Sequence, residues 1–129
     1  MKIVFIDNTK IEYNSRDRHN SKLRGGETVV INMAESLANL NHEIYVINHC
    51  PKDEKINNVN WFNIDKIKEE KIKIDCDAAI ANADANNLNF ILSKKKFVLS
   101  HSIQRFEKFL RKGQFIPFMI HKPTILVLG

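Results

Sequence analysis

The chain of 129 residues is long enough for one domain with a sizeable core and too short for two. Apolar residues make up 43% and charged residues 27%, as in globular proteins, and no apolar run approaches the ~20 residues of a membrane-spanning helix. The net charge of +5 favours an acidic partner, whether a nucleotide phosphate, an anionic lipid or a nucleic acid, and charge alone does not choose among them.

Cysteine and histidine usage gives no sign of a metal centre. Cys50 and Cys76 stand alone without Cys-x-x-Cys spacing, which predicts reduced thiols in a cytoplasmic protein. The histidines include no pair at ligand spacing on one helix. They are His19, His42, His49, His101 and His121. We therefore expect neither a metal nor a cofactor.

The chain begins with a predicted buried strand and a long basic loop. Lys2–Asp7 is a short apolar run without polar alternation, which is typical of a strand covered on both faces of a parallel sheet. Residues 8–24 are polar with little periodicity, and Arg16, Arg18 and Arg24 make this stretch basic. The loop is either a solvated connection or a segment that gates a ligand cleft, and the sequence leaves both open.

A pair of glycines, Gly25 and Gly26, opens the next predicted element, a helix within Arg24–His42. Its apolar residues recur at helical spacing along one face. They are Val30, Met33, Ala34, Leu37 and Ala38. The glycines leave the first-turn amides unobstructed, and these amides favour a phosphate or carboxylate. A merely flexible start of the helix is the competing interpretation.

The rest of the chain alternates predicted strands with predicted helices. Strands are expected at Glu43–Asn48, Val59–Phe62, Ala78–Ala81, Phe97–Leu99 and Thr124–Leu128. Helices are expected at Asp65–Lys73, Asn82–Leu92 and Ile103–Lys112, with a polar loop at His49–Asn58. Asn41 can take the left-handed conformation that ends helices. This alternation predicts an α/β fold with a mainly parallel sheet.

Several familiar chemistries are excluded by spacing. A dinucleotide fingerprint needs closely spaced glycines directly after the first strand, but Asp7 is followed by Asn8 and Thr9. A phosphate-binding P-loop needs Gly-Lys-Ser or Gly-Lys-Thr, and Gly26 is followed by Glu27. A Gly-x-Ser-x-Gly elbow for a nucleophilic serine does not occur either.

Two stretches of sequence carry a family resemblance. KIVFID is followed by a loop and by GGETVVINMAESLANLNHEIYVIN, and FVLSHS occurs later at Phe97–Ser102. Together they resemble the N-terminal domain of a GT-B fold glycosyltransferase of the group-1 (glycosyltransferase family four-like) kind. In that family a Gly-Gly pair precedes a helix ending in Gly-His-Glu-Val, and a later strand ends in a histidine near the sugar site. Asn41 stands where the family usually has glycine.

The resemblance implies a fold and a reaction. The fold would be a Rossmann-like three-layer domain over residues 1–129, a truncated domain in which the C-terminal donor-binding domain of GT-B enzymes is absent. The reaction would be transfer of a sugar from a nucleotide-sugar donor to an unknown acceptor, with retention at the anomeric carbon. We expect this chain alone to be inactive, since the donor is held mainly by the other domain.

The resemblance also implies site residues. Gly25, Gly26 and Glu27 would bind the donor phosphates, and His101 would be the catalytic residue that bonds a sugar hydroxyl. The basic loop would contribute Arg16, Arg18 and Arg24 to the cleft. No nucleic-acid partner is expected.

Two alternatives stay open at this point. The chain could instead be a stand-alone α/β module that binds an anionic small molecule without catalysis. The basic stretch at Arg105–Lys112 and the apolar stretch at Phe115–Ile120 are either ordinary core with a solvated rim or a contact for anionic lipid. The expected location is therefore cytoplasmic, with peripheral membrane contact as the open alternative.

Overall fold

The computed structural model describes residues 1–93 and 95–100, together with the backbone of a strand at residues 124–127. Three predictions lie outside the described residues: the role of His101, the helix at Ile103–Lys112 and the apolar segment at Phe115–Ile120.

The described elements alternate as the sequence pattern predicts. In chain order they are β1 (Lys2–Ile6), α1 (Gly25–Asn39), β2 (Glu43–Asn48), β3 (Glu54–Ile56), β4 (Val59–Asn63), α2 (Ile64–Glu69), β5 (Ile74–Asp75), β6 (Ala78–Asn82), β7 (Ile91–Leu92), β8 (Lys95–Ser100) and β9 (Thr124–Val127). Short 3₁₀ helices occupy Ser15–Asp17 and Ala85–Phe90.

Seven of these strands form one twisted sheet in the order β3-β4-β2-β1-β6-β8-β9. All neighbours are parallel except β3, which pairs antiparallel with β4 at one edge. The chain runs outward from β1 through β2 to β4 and then returns to β6 on the other side of β1. This is a Rossmann-like α/β arrangement, so the predicted fold class with its mainly parallel sheet is confirmed at that level.

Both faces of the sheet are covered. On β1, Ile3 and Phe5 point toward the core that includes α1, whereas Val4 and Ile6 point toward the opposite core, which includes α2 and the second 3₁₀ helix. All four side chains are buried. Two-sided burial is the physical reason that this strand shows no polar alternation in the sequence.

The end of α1 follows the predicted cap. Asn41 takes φ 69°, its amide donates to the carbonyl of Ala38 at 3.0 Å, and the amide of His42 donates to Leu37 at 3.3 Å. These two bonds pair carbonyls of the last turn, and the carbonyl of Leu37 also accepts the amide of Leu40. Asparagine is therefore adequate where glycine is commoner, because it tolerates the left-handed region.

The predicted loop at His49–Asn58 is wrong in its second half. Glu54–Ile56 forms the edge strand β3 and pairs with Val59–Trp61 through a two-residue turn. Asn57 and Asn58 take φ 51° and 64°, which is the conformation that tight hairpins require. Three residues with mostly charged side chains gave no strand pattern to detect.

The predicted helix at Asn82–Leu92 is also wrong in part. Asp84 does cap a helical segment, accepting from the amide of Asn86 at 3.0 Å, but the segment is the 3₁₀ helix Ala85–Phe90. Ile91 instead joins β7 and pairs with Ile74 in a small second sheet. A non-local strand partner therefore overrides the local apolar spacing.

Candidate functional site

An open cleft of about 260 Å³ lies where the order of the strands reverses, between the carboxyl ends of β1 and β6. It is lined by Thr9, Arg24, Gly25, Gly26, Glu27, Asn82 and Ala83. Open parallel sheets bind ligands at such reversal points, because the loops on the two sides diverge there and leave a crevice. This cleft, which we name the switch-point cleft, is the candidate site.

The amino-terminal turn of α1 forms one wall of the switch-point cleft. Arg24 is the N-cap residue in an extended conformation, and no side chain caps this turn. A Cβ atom added at Gly25 would meet no atom within 4 Å, so the backbone there faces open space. Uncapped amides at the positive end of a 15-residue helix attract an anion.

Next to these amides lies an ion pair between Arg24 and Glu27. The Nε atom of Arg24 lies 3.1 Å from Oε1 of Glu27. The carboxylate is almost completely buried, whereas the arginine side chain is 63% exposed. The pair balances the buried negative charge, and the terminal N–H groups of the guanidinium remain as donors at the rim of the cleft.

The buried carboxylate of Asp7 does not line the cleft, but it holds two of the lining residues, Thr9 and Asn82, in place. Its Oδ2 atom accepts from the Tyr13 hydroxyl at 2.6 Å and from Nδ2 of Asn82 at 3.2 Å. Its Oδ1 atom accepts from the backbone amide of Thr9 at 3.0 Å. The network joins the ends of β1 and β6 to the basic loop, so Asp7 acts as an anchor of the cleft.

Tyr13 stays protonated in this network. Burial, together with the charge of Asp7 and the hydrogen bond to it, raises the pKa of Tyr13 well above its usual value of 10.0. The backbone carbonyl of Tyr13 accepts from Nδ2 of Asn48 at 2.9 Å, which ties the loop to the end of β2 as well. The loop is therefore held at its middle by buried hydrogen bonds.

Two further features mark the opposite side of the cleft. The Oγ1 atom of Thr9 is buried and has no hydrogen-bond partner among the described residues. Ala83 takes φ 64°, a left-handed conformation that costs about 1 kcal/mol for a residue with a Cβ atom. Its amide donates to the carbonyl of Leu99 at 2.9 Å, which holds the strained turn against β8. Backbone strain of this kind concentrates at ligand sites.

The structure brings together four of the residues singled out from the sequence. Arg24, Gly25, Gly26 and Glu27 all line the switch-point cleft. The other two loop arginines contact different elements. Arg16 pairs with Glu54 on β3, and Arg18 pairs with Glu35 on α1. Neither of them is among the residues that line the cleft, and both hold the loop against the body of the domain.

Three lining residues were missed by the sequence analysis. Thr9, Asn82 and Ala83 each follow or end a predicted strand, which is a weak signal shared by many residues. Only the strand order shows that the ends of β1 and β6 are neighbours.

Within the described ranges there is neither a cluster of metal ligands nor a membrane-spanning helix. No group of three or more His, Cys, Asp or Glu side chains there could hold a metal ion. No helix among residues 1–93 and 95–100 is long and apolar enough to cross a membrane. No protein-family model, curated protein or solved structure gives a significant match to this chain.

Proposed function

We propose that this chain is the acceptor-side half of a GT-B glycosyltransferase, which moves a sugar from a nucleotide-sugar donor to an acceptor. The observation that carries the proposal is the uncapped first turn of α1 at the switch-point cleft. The Rossmann-like strand order supports it, because the N-terminal half of a GT-B enzyme has such a sheet. A second α/β domain would supply most contacts to the donor.

In this proposal the cleft stabilises charge on the leaving group. Negative charge grows on the donor diphosphate as its bond to the sugar breaks, and preorganised donors aimed at that charge lower the barrier. The amides of Gly25 and Gly26 would face the diphosphate or the transferring sugar, and the guanidinium of Arg24 lies beside them. Glu27 would act through Arg24, since its carboxylate orients that guanidinium at 3.1 Å.

Two parts of the proposal rest on the family resemblance alone. His101 would bond a hydroxyl of the transferred sugar, and the anomeric configuration would be retained. A non-catalytic α/β module for an anionic small molecule is the second candidate. It is favoured by the composition of the cleft, where the described lining includes no histidine and its one carboxylate, Glu27, is already paired with Arg24.

The test uses nucleotide sugars and one substitution in the cleft. Isotope-labelled protein is titrated with a panel of UDP- and GDP-sugars and with pyrophosphate while the backbone amide resonances are followed. We expect shifts centred on Gly25, Gly26 and Glu27, with millimolar affinity for this chain alone. Gly25→Ala should weaken binding on the order of tenfold and leave the fold intact, because the added Cβ meets open space in the free protein.

Ser36→Ala is the matched control, since Ser36 lies exposed on the same helix outside the cleft. Resonances at Gly25 and Gly26 that do not move with any nucleotide sugar would overturn the enzyme proposal. Equal binding of pyrophosphate and nucleotide sugars, with no sugar transfer by the natural full-length protein, would favour the binding module. Release of nucleoside diphosphate in the presence of an acceptor would support the enzyme.

A further inference from the structure

A second cleft lies on the opposite face of the sheet from α1, between the end of α2 and the second 3₁₀ helix. It has a volume of about 340 Å³, within the range of small-molecule sites. Its lining consists of Ile67, Lys68, Lys71, Ile72, Lys73, Asn89 and Phe90. We name it the lysine cleft, because every charged residue in this lining is a lysine.

The lysines of this cleft have no acidic partner in the described part of the chain. No described carboxylate lies within 4.0 Å of the ammonium group of Lys68, Lys71 or Lys73. Lys73 makes one polar contact, donating from Nζ to the carbonyl of Asn89 at 3.2 Å. The acidic residues Glu69 and Glu70 are near in sequence but do not line the cleft. The lining therefore carries an uncompensated positive charge.

The positive charge extends inward to Lys96. Only 6% of this residue is exposed, although its ammonium is not fully buried. The ammonium has no hydrogen-bond or ion-pair partner among the described residues. Burial lowers the pKa of Lys96, Cys76 acts in the opposite direction, and the nearby ammonium of Lys73 lowers the pKa further. The two ammonium groups repel each other, and a bound anion would reduce this repulsion. Lys96 therefore adds a partly desolvated positive charge to those of the cleft.

Lys71 has a strained backbone conformation. It takes φ 50° at the position after α2 where glycine is favoured. Its amide donates to the carbonyl of Lys68 at 3.2 Å, and the amide of Ile72 donates to Ile67 at 3.1 Å. This cap folds the chain back so that Ile67 and Ile72 line the cleft together with Lys71. A glycine would form the same turn without this strain and would remove the charge.

We propose that the lysine cleft binds a small organic anion, namely a phosphate or carboxylate joined to a short acyl or aryl body. The anionic group would lie among the ammonium groups of Lys68, Lys71 and Lys73. The apolar body would contact Ile67, Ile72 and Phe90, which supply the apolar part of the lining. Ligand pockets commonly combine such an apolar surface with a few convergent polar groups. The site is separate from the switch-point cleft and does not depend on glycosyl transfer.

Calorimetry with hexyl phosphate and phenyl phosphate tests the proposal directly. We expect both to bind more tightly than inorganic phosphate and than hexanol, since each comparator lacks one half of the recognised chemistry. Resonances of Ile67, Lys71 and Phe90 should shift on titration, whereas those of Gly25 should not. Vesicles that contain phosphatidic acid form a separate arm, and vesicle binding without binding of soluble hexyl phosphate would overturn the proposal.

Lys71→Gly separates ligand binding from stability. This variant should have a higher melting temperature, because the left-handed strain is relieved. It should bind hexyl phosphate more weakly, on the order of tenfold, because one charged contact is lost. Lys66→Gln is the matched control, because Lys66 is exposed on α2 and lies outside the lining. An equal loss of affinity in both variants would show non-specific attraction and overturn the site. So would the absence of hexyl phosphate binding at millimolar concentration.

Discussion

One cleft lies at the carboxyl ends of β1 and β6 and the other on the face of the sheet away from α1, and their charged groups are balanced in different ways. In the switch-point cleft the buried acids are paired inside the protein, Asp7 with Tyr13 and Glu27 with Arg24. Attraction for an anion comes there from backbone amides at the end of α1. In the lysine cleft the cations have no described acidic partner, and Lys96 lies buried behind them.

The comparison separates two ways of preparing a site for an anion. Backbone amides carry fixed partial charges, so their placement costs little once the helix has formed. Unpaired ammonium groups attract an anion more strongly but repel each other while the site is empty. We therefore expect polar residues around the first cleft to stabilise the fold and lysines around the second to destabilise it.

The largest expected effect comes from Asp7→Ala at the switch-point cleft. This change leaves the Tyr13 hydroxyl, the Asn82 amide and the Thr9 backbone amide without their acceptor in a buried region. We expect the free energy of unfolding to fall by about 3 kcal/mol or more, measured by urea denaturation. Asp77→Ala is the control. Asp77 is exposed, and its side chain accepts one bond, from the amide of Lys2 at 2.7 Å.

Equal costs for Asp7→Ala and Asp77→Ala would mean that the buried network does not hold the cleft. The expectation that polar residues around the switch-point cleft stabilise the fold would then be wrong.

The second prediction concerns Lys96→Met, for which we expect the free energy of unfolding to rise instead of fall. Methionine fills a similar volume and removes a partly desolvated ammonium, so we expect stability at neutral pH to rise by up to about 1.5 kcal/mol. Lys95→Met is the control, because Lys95 is the exposed neighbour on β8 and should give a change near zero. A loss of stability in Lys96→Met comparable with the loss in other core substitutions would show that the ammonium has a favourable partner.

Lys96 also gives the stability a defined dependence on pH. Its pKa is lowered in the folded protein, so between that value and the usual 10.5 the unfolded chain binds more protons than the folded one. Stability therefore rises with pH through this window, and below it the full cost is present. The rise should be absent in Lys96→Met.

Much of the fold follows from local pattern, and the parts that do not are explained by non-local contacts. The strand β1 was predictable because it is a short, uninterrupted apolar run. The helix α1 was predictable because its apolar residues repeat at helix spacing over a long stretch. The strands β3 and β7 were not, since each is very short and owes its conformation to a partner strand, β4 or β5. The Asn57–Asn58 pair was the one local signal for the missed hairpin.

The same limit applies to the two sites. Gly25 and Gly26 could be singled out because glycines before an amphipathic helix have a direct physical meaning. Asn82 and Ala83 could be assigned to the same cleft only once the strand order was known. The lysine cleft could not be predicted, because the sequence of Asp65–Lys73 predicts a helix with mixed charges. Its lysines come to lie on one side of the cleft because the chain reverses its direction at Lys71.

A third, smaller effect comes from Tyr13→Phe, which removes one donor to Asp7. We expect a loss of about 1 kcal/mol at neutral pH. The pKa of Tyr13 is raised in the folded protein, so its contribution is full below the usual value of 10.0 and is lost as pH rises above it. The change of stability with pH that Tyr13 causes is therefore opposite in sign to the change that Lys96 causes. Alkaline denaturation of the two variants should therefore change in opposite directions. Tyr45→Phe is the control, because the hydroxyl of this half-buried residue donates to exposed Glu43 at 2.6 Å, outside the buried network.

The smallest expected effect is at Ala83, on the rim of the switch-point cleft. Ala83→Gly relieves a left-handed backbone at φ 64°, but glycine also gains freedom in the unfolded chain, so the net gain should be about 0.5 kcal/mol. Ala38→Gly in α1 should instead cost about 1 kcal/mol, because Ala38 is helical and buried. If both variants lose stability, the strained turn is not the conformation of Ala83 in solution. A gain in stability for Ala83→Gly, together with the gain expected for Lys71→Gly, would mean that each cleft has a residue with a strained backbone that glycine can relieve. This strain would then be independent of how the charges of the cleft are balanced.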